Sequence, residues 1–111
     1  MFQRTIGLLA TMSLGVAAGA AAQGAGAAGE KVYTTQKCHV CHSIGGKGNA
    51  KGPLDDVGTT LTPDEIRAWI VDAKGMTAKT KAARKPVMKS YLLPAADVDA
   101  LVAYLSSLKK K

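Results

Sequence analysis

The sequence predicts an all-α domain built on three main helices. Three observations carry that prediction. Val98, Leu101, Val102, Leu105 and Leu108 recur at helical spacing and make one apolar stripe near the C-terminus. Thr62-Pro63-Asp64-Glu65 reads as a helix start, with Thr62 as N-cap, Pro63 at the first helical position and Glu65 completing a capping box. No segment shows the two-residue alternation of a convincing strand, and the chain has no internal repeat.

Residues 1–22 read as a cleaved export signal. Arg4 supplies a positive start, an apolar Ala-rich stretch follows, and Ala20-Ala21-Ala22 offers small residues for cleavage. The alternative, an uncleaved anchor, is opposed by length. The apolar stretch sits near the lower limit of about 17 residues for a span and is diluted by Gly, Ser and Thr. No stable membrane insertion is expected after cleavage, and no Cys follows closely enough to carry a lipid. Residues 23–29 are Gly/Ala-rich and read as a flexible linker. Residues 30–111 then form a single small domain.

Within that domain a first helix is expected from about Gly29 into the Cys38–His42 run, carrying Val32 and Tyr33. Residues 43–61 contain five Gly and one Pro and read as loop. The second helix starts at Thr62, and its Ile66, Trp69 and Ile70 share one face. Gly75 fits the position after its C-terminus. Residues 76–93 are a Lys-rich connection with at most one short helix, around 78–84, which Pro86 would end. The last helix begins near Pro94, and Lys109, Lys110 and Lys111 would complement its C-terminal dipole.

The run Cys38-His39-Val40-Cys41-His42 carries the chemistry. It is a C-x-x-C-H box, the attachment signature of a c-type haem. Two thiols about one turn apart reach the vinyl groups on one porphyrin edge, and the following imidazole points at the iron. Cys38 and Cys41 are therefore expected to form thioethers, with His42 as proximal ligand. Competing readings are weaker. A redox dithiol expects a βαβ setting. Structural zinc draws a second ligand pair from elsewhere, but both Cys and both His of the chain lie inside this box. A disulfide across two residues closes almost no loop. One covalent haem c per chain also suits a domain this small. After signal removal only Tyr33, Trp69, Tyr91 and Tyr104 remain as aromatic core material. Export fits as well, since c-type haem is attached outside the cytoplasm.

The chain carries 15 basic and 8 acidic residues, a net charge of +7. That balance points to acidic partners. Export and the lack of any nucleic-acid motif argue against nucleic acid. Lys47, Lys51, Lys79, Lys81, Lys85 and Lys89 lie in segments expected to surround the haem, so a basic docking ring is one reading and a plain solvated surface the other.

The haem's other face needs a ligand. His39 is tied to the proximal side, so a thioether is the natural donor, from Met76 or Met88. The chain resembles the class I c-type cytochromes, the small bacterial monohaem kind, over residues 29–111. The resemblance rests on the C-x-x-C-H box, Gly52-Pro53, Pro86-Val87-Met88, and Ala100-Leu101-Val102-Ala103-Tyr104-Leu105. It implies the cytochrome c fold, three main helices around one covalent haem. It also implies that Met88, in a Pro-containing loop before the last helix, is the distal ligand. Pro53 resembles the family proline whose carbonyl accepts the Nδ1–H of the haem His. Trp69 resembles a Trp that donates to a haem propionate in some relatives, though core packing would place it equally well. Gly29 and Tyr33 resemble the first-helix pair that meets an aromatic of the last helix, here Tyr104.

The function implied is one-electron transfer in a periplasmic chain, by a monomer that meets acidic redox proteins. No catalytic residue is expected, because no nucleophile or acid–base pair stands out. The alternatives are a non-catalytic haem subunit of a larger oxidoreductase and, further off, a haem peroxidase or gas sensor with a labile distal Met88.

Overall fold

The computed structural model describes residues 18–109. They form α1 (Ala18–Thr35), a 3₁₀ turn (Cys38–Val40), a hairpin of β1 (Ser43–Ile44) and β2 (Lys47–Gly48), α2 (Val57–Thr60), α3 (Pro63–Val71), α4 (Ala73–Thr80) and α5 (Ala95–Ser106). The class is all-α, as expected, and α1, α3 and α5 are the three main helices. Residues 1–17, which hold most of the expected export signal, lie outside the described residues, as do Lys110 and Lys111.

The core follows the apolar stripes. Val98, Leu101, Val102 and Leu105 of α5 are buried against Val32 and Tyr33 of α1 and Ile66 and Ile70 of α3. Each such side chain contributes about 2 kcal/mol of transfer free energy as an upper figure. α5 is the shared element, packing on both α1 and α3. At the α1–α5 crossing a side-chain carbon on Gly29 would collide with the Ala100 carbonyl and the Tyr104 Cβ. Only glycine lets the two backbones approach this closely. One turn on, the Tyr33 and Tyr104 rings meet edge to face at 6.3 Å. The expected pairing of Gly29 and Tyr33 with Tyr104 is therefore present.

Several local expectations are corrected. The 23–29 stretch, expected as a flexible linker, is helical as part of α1. Alanine, the strongest helix former, outweighs the glycines there. α1 also stops before the cysteines. Lys37, in the left-handed region at φ 57°, turns the chain into the 3₁₀ turn. The 43–61 segment is not all loop. Gly45 and Gly46, both at positive φ (59° and 79°), make the tight turn of the β1–β2 hairpin.

The start of α3 is as expected, since the Thr62 hydroxyl accepts from the Glu65 amide and the Glu65 carboxylate accepts from the Thr62 amide. Its end is not. α3 closes at Asp72, and Gly75 lies inside α4. Asp72 caps α4 through its carboxylate, which accepts from the Gly75 amide at 3.1 Å. A Cβ at Gly75 would crowd that carboxylate, which would have to shift. α4 begins earlier than the short helix expected at 78–84, and Lys81, left-handed at φ 56°, ends it before Pro86 is reached. α5 ends at Ser106, so Lys109 lies beyond its last turn.

Candidate functional site

A cavity of about 860 Å³ opens between α3, α5, the 3₁₀ turn and residues 82–94. Its walls are mostly apolar, from Leu54, Ile66, Ile70, Leu101 and Leu105 among others. Cys38, Cys41 and His42 stand on one side and Met88 on its wall as well. Two thiols, an imidazole and a thioether thus share one apolar chamber.

The turn that presents the thiols is tightly made. The Cys41 and His42 amides both donate to the Cys38 carbonyl, at 3.1 and 2.9 Å. Both cysteines are free and half-buried. Burial pushes the Cys38 thiol above its usual pKa, so it stays protonated until something withdraws the proton. His42 is half-buried, and burial lowers its pKa first, against the opposing effect of its hydrogen bond to Gly52. A neutral imidazole is the ligating form.

The His42 ring is oriented by Nδ1, which donates to the Gly52 carbonyl at 3.0 Å. The expected acceptor was the Pro53 carbonyl, so this assignment is corrected by one residue. The same Gly52 carbonyl accepts from the Ser43 amide at 3.0 Å, and Pro53 pairs with Ser43 in a single parallel bridge. That bridge fixes which carbonyl faces the ring. Pro53 still lines the cavity.

Asn49 is a residue that sequence reasoning missed. Its amide donates to both the His39 and His42 carbonyls, at 3.1 and 2.9 Å, and its Nδ2 donates to the Val40 carbonyl at 3.1 Å. One side chain and one amide therefore bind three carbonyls of the attachment box. Gly48 makes this possible. Its φ is +107°, and a Cβ there would hit the His42 carbonyl. A Gly-Asn pair shortly after a C-x-x-C-H box was the available signal. Arg84 was also missed. It lines the cavity and its guanidinium reaches the Cys41 carbonyl.

Trp69 is half-buried on the cavity wall and outside the core cluster that Ile66 and Ile70 join. Met88 is half-buried on the wall, whereas Met76, on α4, is not among the cavity-lining residues. His39 is exposed, away from the chamber. Of the six lysines named above, Lys89 lines the cavity, and Lys37 joins it there. The Lys89 ammonium lies 5.0 Å from the centroid of the Tyr91 ring. Among the described residues no cluster of three or more His, Cys, Asp or Glu side chains could hold a bare metal ion. Nor is any described helix long and apolar enough to cross a membrane.

The donor set and the chamber fit a haem held by thioethers. Comparison with known proteins points the same way. The family model described as Cytochrome c matches residues 26–109. The chain is 32% identical over 90 residues to cytochrome c oxidase subunit 2 of Alkalihalophilus pseudofirmus, an alignment covering 73% of this chain and 25% of that protein. The chain thus spans about a quarter of the length of that relative. No solved structure matches.

Proposed function

The chain belongs to the cytochrome c family, and on that premise we propose that it is a class I, one-electron carrier of a periplasmic electron-transfer chain. Cytochrome c domains carry haem c with its iron and serve haem-based electron transfer, and they are commonly exported. The proposal adds the ligand set and the setting. Cys38 and Cys41 would hold one haem c per chain, and His42 and Met88 would supply the ligands to its iron.

The observation that carries this is the shared chamber of Cys38, Cys41, His42 and Met88. When bound, haem c supplies reversible one-electron exchange at its iron. The rest is done by the chain. Gly52 holds the His42 ring by Nδ1, leaving Nε2 for the metal and raising its donor strength. The Met88 thioether, as a soft donor, favours the reduced form and raises the potential. Leu101, Leu105, Ile66 and Ile70 exclude water from the chamber. Trp69, on the wall, is the candidate donor to a propionate, and Pro53 closes the proximal rim. The excess of basic residues favours acidic redox partners, met by a monomer. Residues 1–22 are proposed as the cleaved signal that delivers the domain of residues 30–111 to the periplasm. No residue is assigned a catalytic role.

A second reading is favoured by one observation. The relative is a subunit of an oxidase, and this chain matches only a quarter of it. The chain would then serve as a non-catalytic haem subunit of a larger oxidoreductase. Purification decides between them. A carrier elutes as a monomer after mild extraction, whereas a subunit co-purifies with its complex. An optical redox titration of the purified protein tests the core of the proposal. It should show a low-spin haem with both axial sites filled in both oxidation states. A high-spin ferric spectrum would remove Met88 from the ligand set and revive the peroxidase or gas-sensor alternative.

A further inference from the structure

We propose that Arg84 is a positioning residue that latches the segment carrying Met88 to the attachment turn. The inference rests on the reading of Met88 as distal ligand. Arg84 lies four positions before Met88 in residues 82–94, a stretch with no regular structure. Its Nη2 donates to the Cys41 carbonyl at 2.5 Å, across a separation of 43 residues. No backbone amide of the attachment turn takes that carbonyl.

The guanidinium reaches Cys41 by crossing Gly52. A Cβ at Gly52 would collide with Arg84 Nη1 and with the Cys41 carbonyl. The same Gly52 holds the His42 ring through its own carbonyl. One glycine therefore serves both sides. It orients the proximal imidazole and clears the path for the side chain that fastens the distal segment.

The latch matters because the segment has few other ties. Beyond Met88, the Tyr91 amide donates to the Ile70 carbonyl at 2.8 Å, and the Lys74 amide donates to Ser90 Oγ at 3.3 Å. Before Met88, the Ala82 amide closes the end of α4 on Thr77, and Arg84 follows. Met88 is thus bracketed by Arg84 on one side and Tyr91 on the other. Packing does not replace these ties. A second cavity of about 530 Å³, lined by Lys74, Thr77, Ala78 and Val87, lies against Met88 from outside. Met88 lines both cavities. Its position is therefore set by the chain's fastenings.

The test uses the haem-loaded full chain. Imidazole is mixed with the ferric protein and the binding rate is read optically, since entry requires Met88 to leave. Arg84→Ala should raise that rate about tenfold, the lower end expected for losing an exposed hydrogen bond from a charged donor. Arg84→Lys, which keeps the charge but not the planar fork, should fall between. Amide hydrogen exchange over residues 82–90 should speed up in Arg84→Ala. Arg67→Ala is the control for general loosening, because it removes the 2.7 Å ion pair with Asp99 across α3 and α5. It should leave the imidazole rate at the parent value. A folded Arg84→Ala variant with parent imidazole and exchange rates overturns the latch, as does an equal rise from Arg67→Ala. If Met88→Ala leaves spectrum and imidazole affinity unchanged, the ligand reading fails, and the exchange measurement still decides the latch.

Discussion

The two sides of the chamber are built in opposite ways. Residues 36–54 on the proximal side are wrapped in short backbone bonds. Asn49 binds three carbonyls of the box, Gly52 binds both His42 and Ser43, and the Leu54 amide returns to the Ser43 carbonyl at 2.8 Å. Residues 82–94 on the distal side have no regular element and hang on a few long-range ties. Backbone bonding fixes geometry without depending on side-chain rotamers. On the proposed reading, the side that would hold two covalent bonds and a ring orientation is the densely bonded one, and the side that would offer one thioether has the fewer ties. Local stability follows the same division, because segments with few buried contacts and exposed hydrogen bonds open first.

The largest expected effect lies on the proximal side and is covalent. Denatured wild-type protein should retain its haem mass, and the double variant Cys38→Ala, Cys41→Ala should release haem under the same conditions. Mass spectrometry of protein made in a maturation-competent host reads this directly. Haem-free chain carrying a Cys38–Cys41 disulfide would overturn the assignment of both thiols.

Next comes the framework beneath them. Gly48→Ala should destabilise the protein by roughly 3 kcal/mol, from a positive φ forced on a side chain and a collision with the His42 carbonyl. Val87→Ala, in the distal segment and half-exposed, should cost under about 0.5 kcal/mol. Chemical denaturation of both variants measures the contrast, and equal losses would erase the distinction between the two sides.

The distal side should instead show its effect in the spectrum. Met88→Ala should open the sixth site, shift the ferric protein towards high spin, lower the potential and admit small ligands. The packing lost should account for only about 1 kcal/mol of stability, since Met88 is half-buried beside open space, and any larger loss would measure the bond to iron. Met76→Ala should leave the spectrum unchanged, because Met76 does not line the chamber. The reverse result would move the ligand to Met76.

The same division governs what the sequence made legible. Side-chain chemistry at fixed spacing could be read, so the C-x-x-C-H box, the Thr62–Glu65 capping box and the stripe from Val98 to Leu105 appear where expected, with Leu108 beyond the end of α5, and the Gly29–Tyr33–Tyr104 contact lies where the family resemblance implies. Backbone pairing between distant residues has no such spacing. Which carbonyl faces His42 depends on the bridge between Ser43 and Pro53, and the position came out one residue away. Asn49 and Arg84 act through carbonyls, which every residue possesses, so Arg84 has no motif and Asn49 only the weak signal of a Gly-Asn pair after the box. Helix ends were missed where a residue took an unusual role. Lys37 and Lys81 adopt the left-handed conformation usually given to glycine, and Asp72 serves as the end of α3 and the cap of α4.

The smallest expected effect concerns the tyrosines, which sample both sides. Tyr33 lies beneath the attachment turn at 7% exposure, and its hydroxyl has no partner. Burial first, then the neighbouring Cys38, pushes its pKa up to about 12 from 10.0. Burial also raises Tyr91, on the distal side. A spectrophotometric titration should find Tyr33 the last of the three to lose its proton. The sign for stability follows from the neutral form being favoured in the fold. That contribution is fully present below pH 10, where unfolded tyrosine is neutral, and is lost as pH rises towards 12. Tyr33→Phe removes the titrating group. The variant should lose less stability than the parent between pH 10 and 12, keeping only the share due to Tyr91 and Tyr104. Near neutral pH it should be more stable by about 1 kcal/mol, because a buried hydroxyl without a partner is replaced by hydrogen. Denaturant melts of both proteins at neutral and alkaline pH test the two statements together. A loss of stability at neutral pH would mean that the hydroxyl has a partner in the haem-loaded protein. The proximal side would then gain a side-chain bond beside that of Asn49 Nδ2 to the Val40 carbonyl.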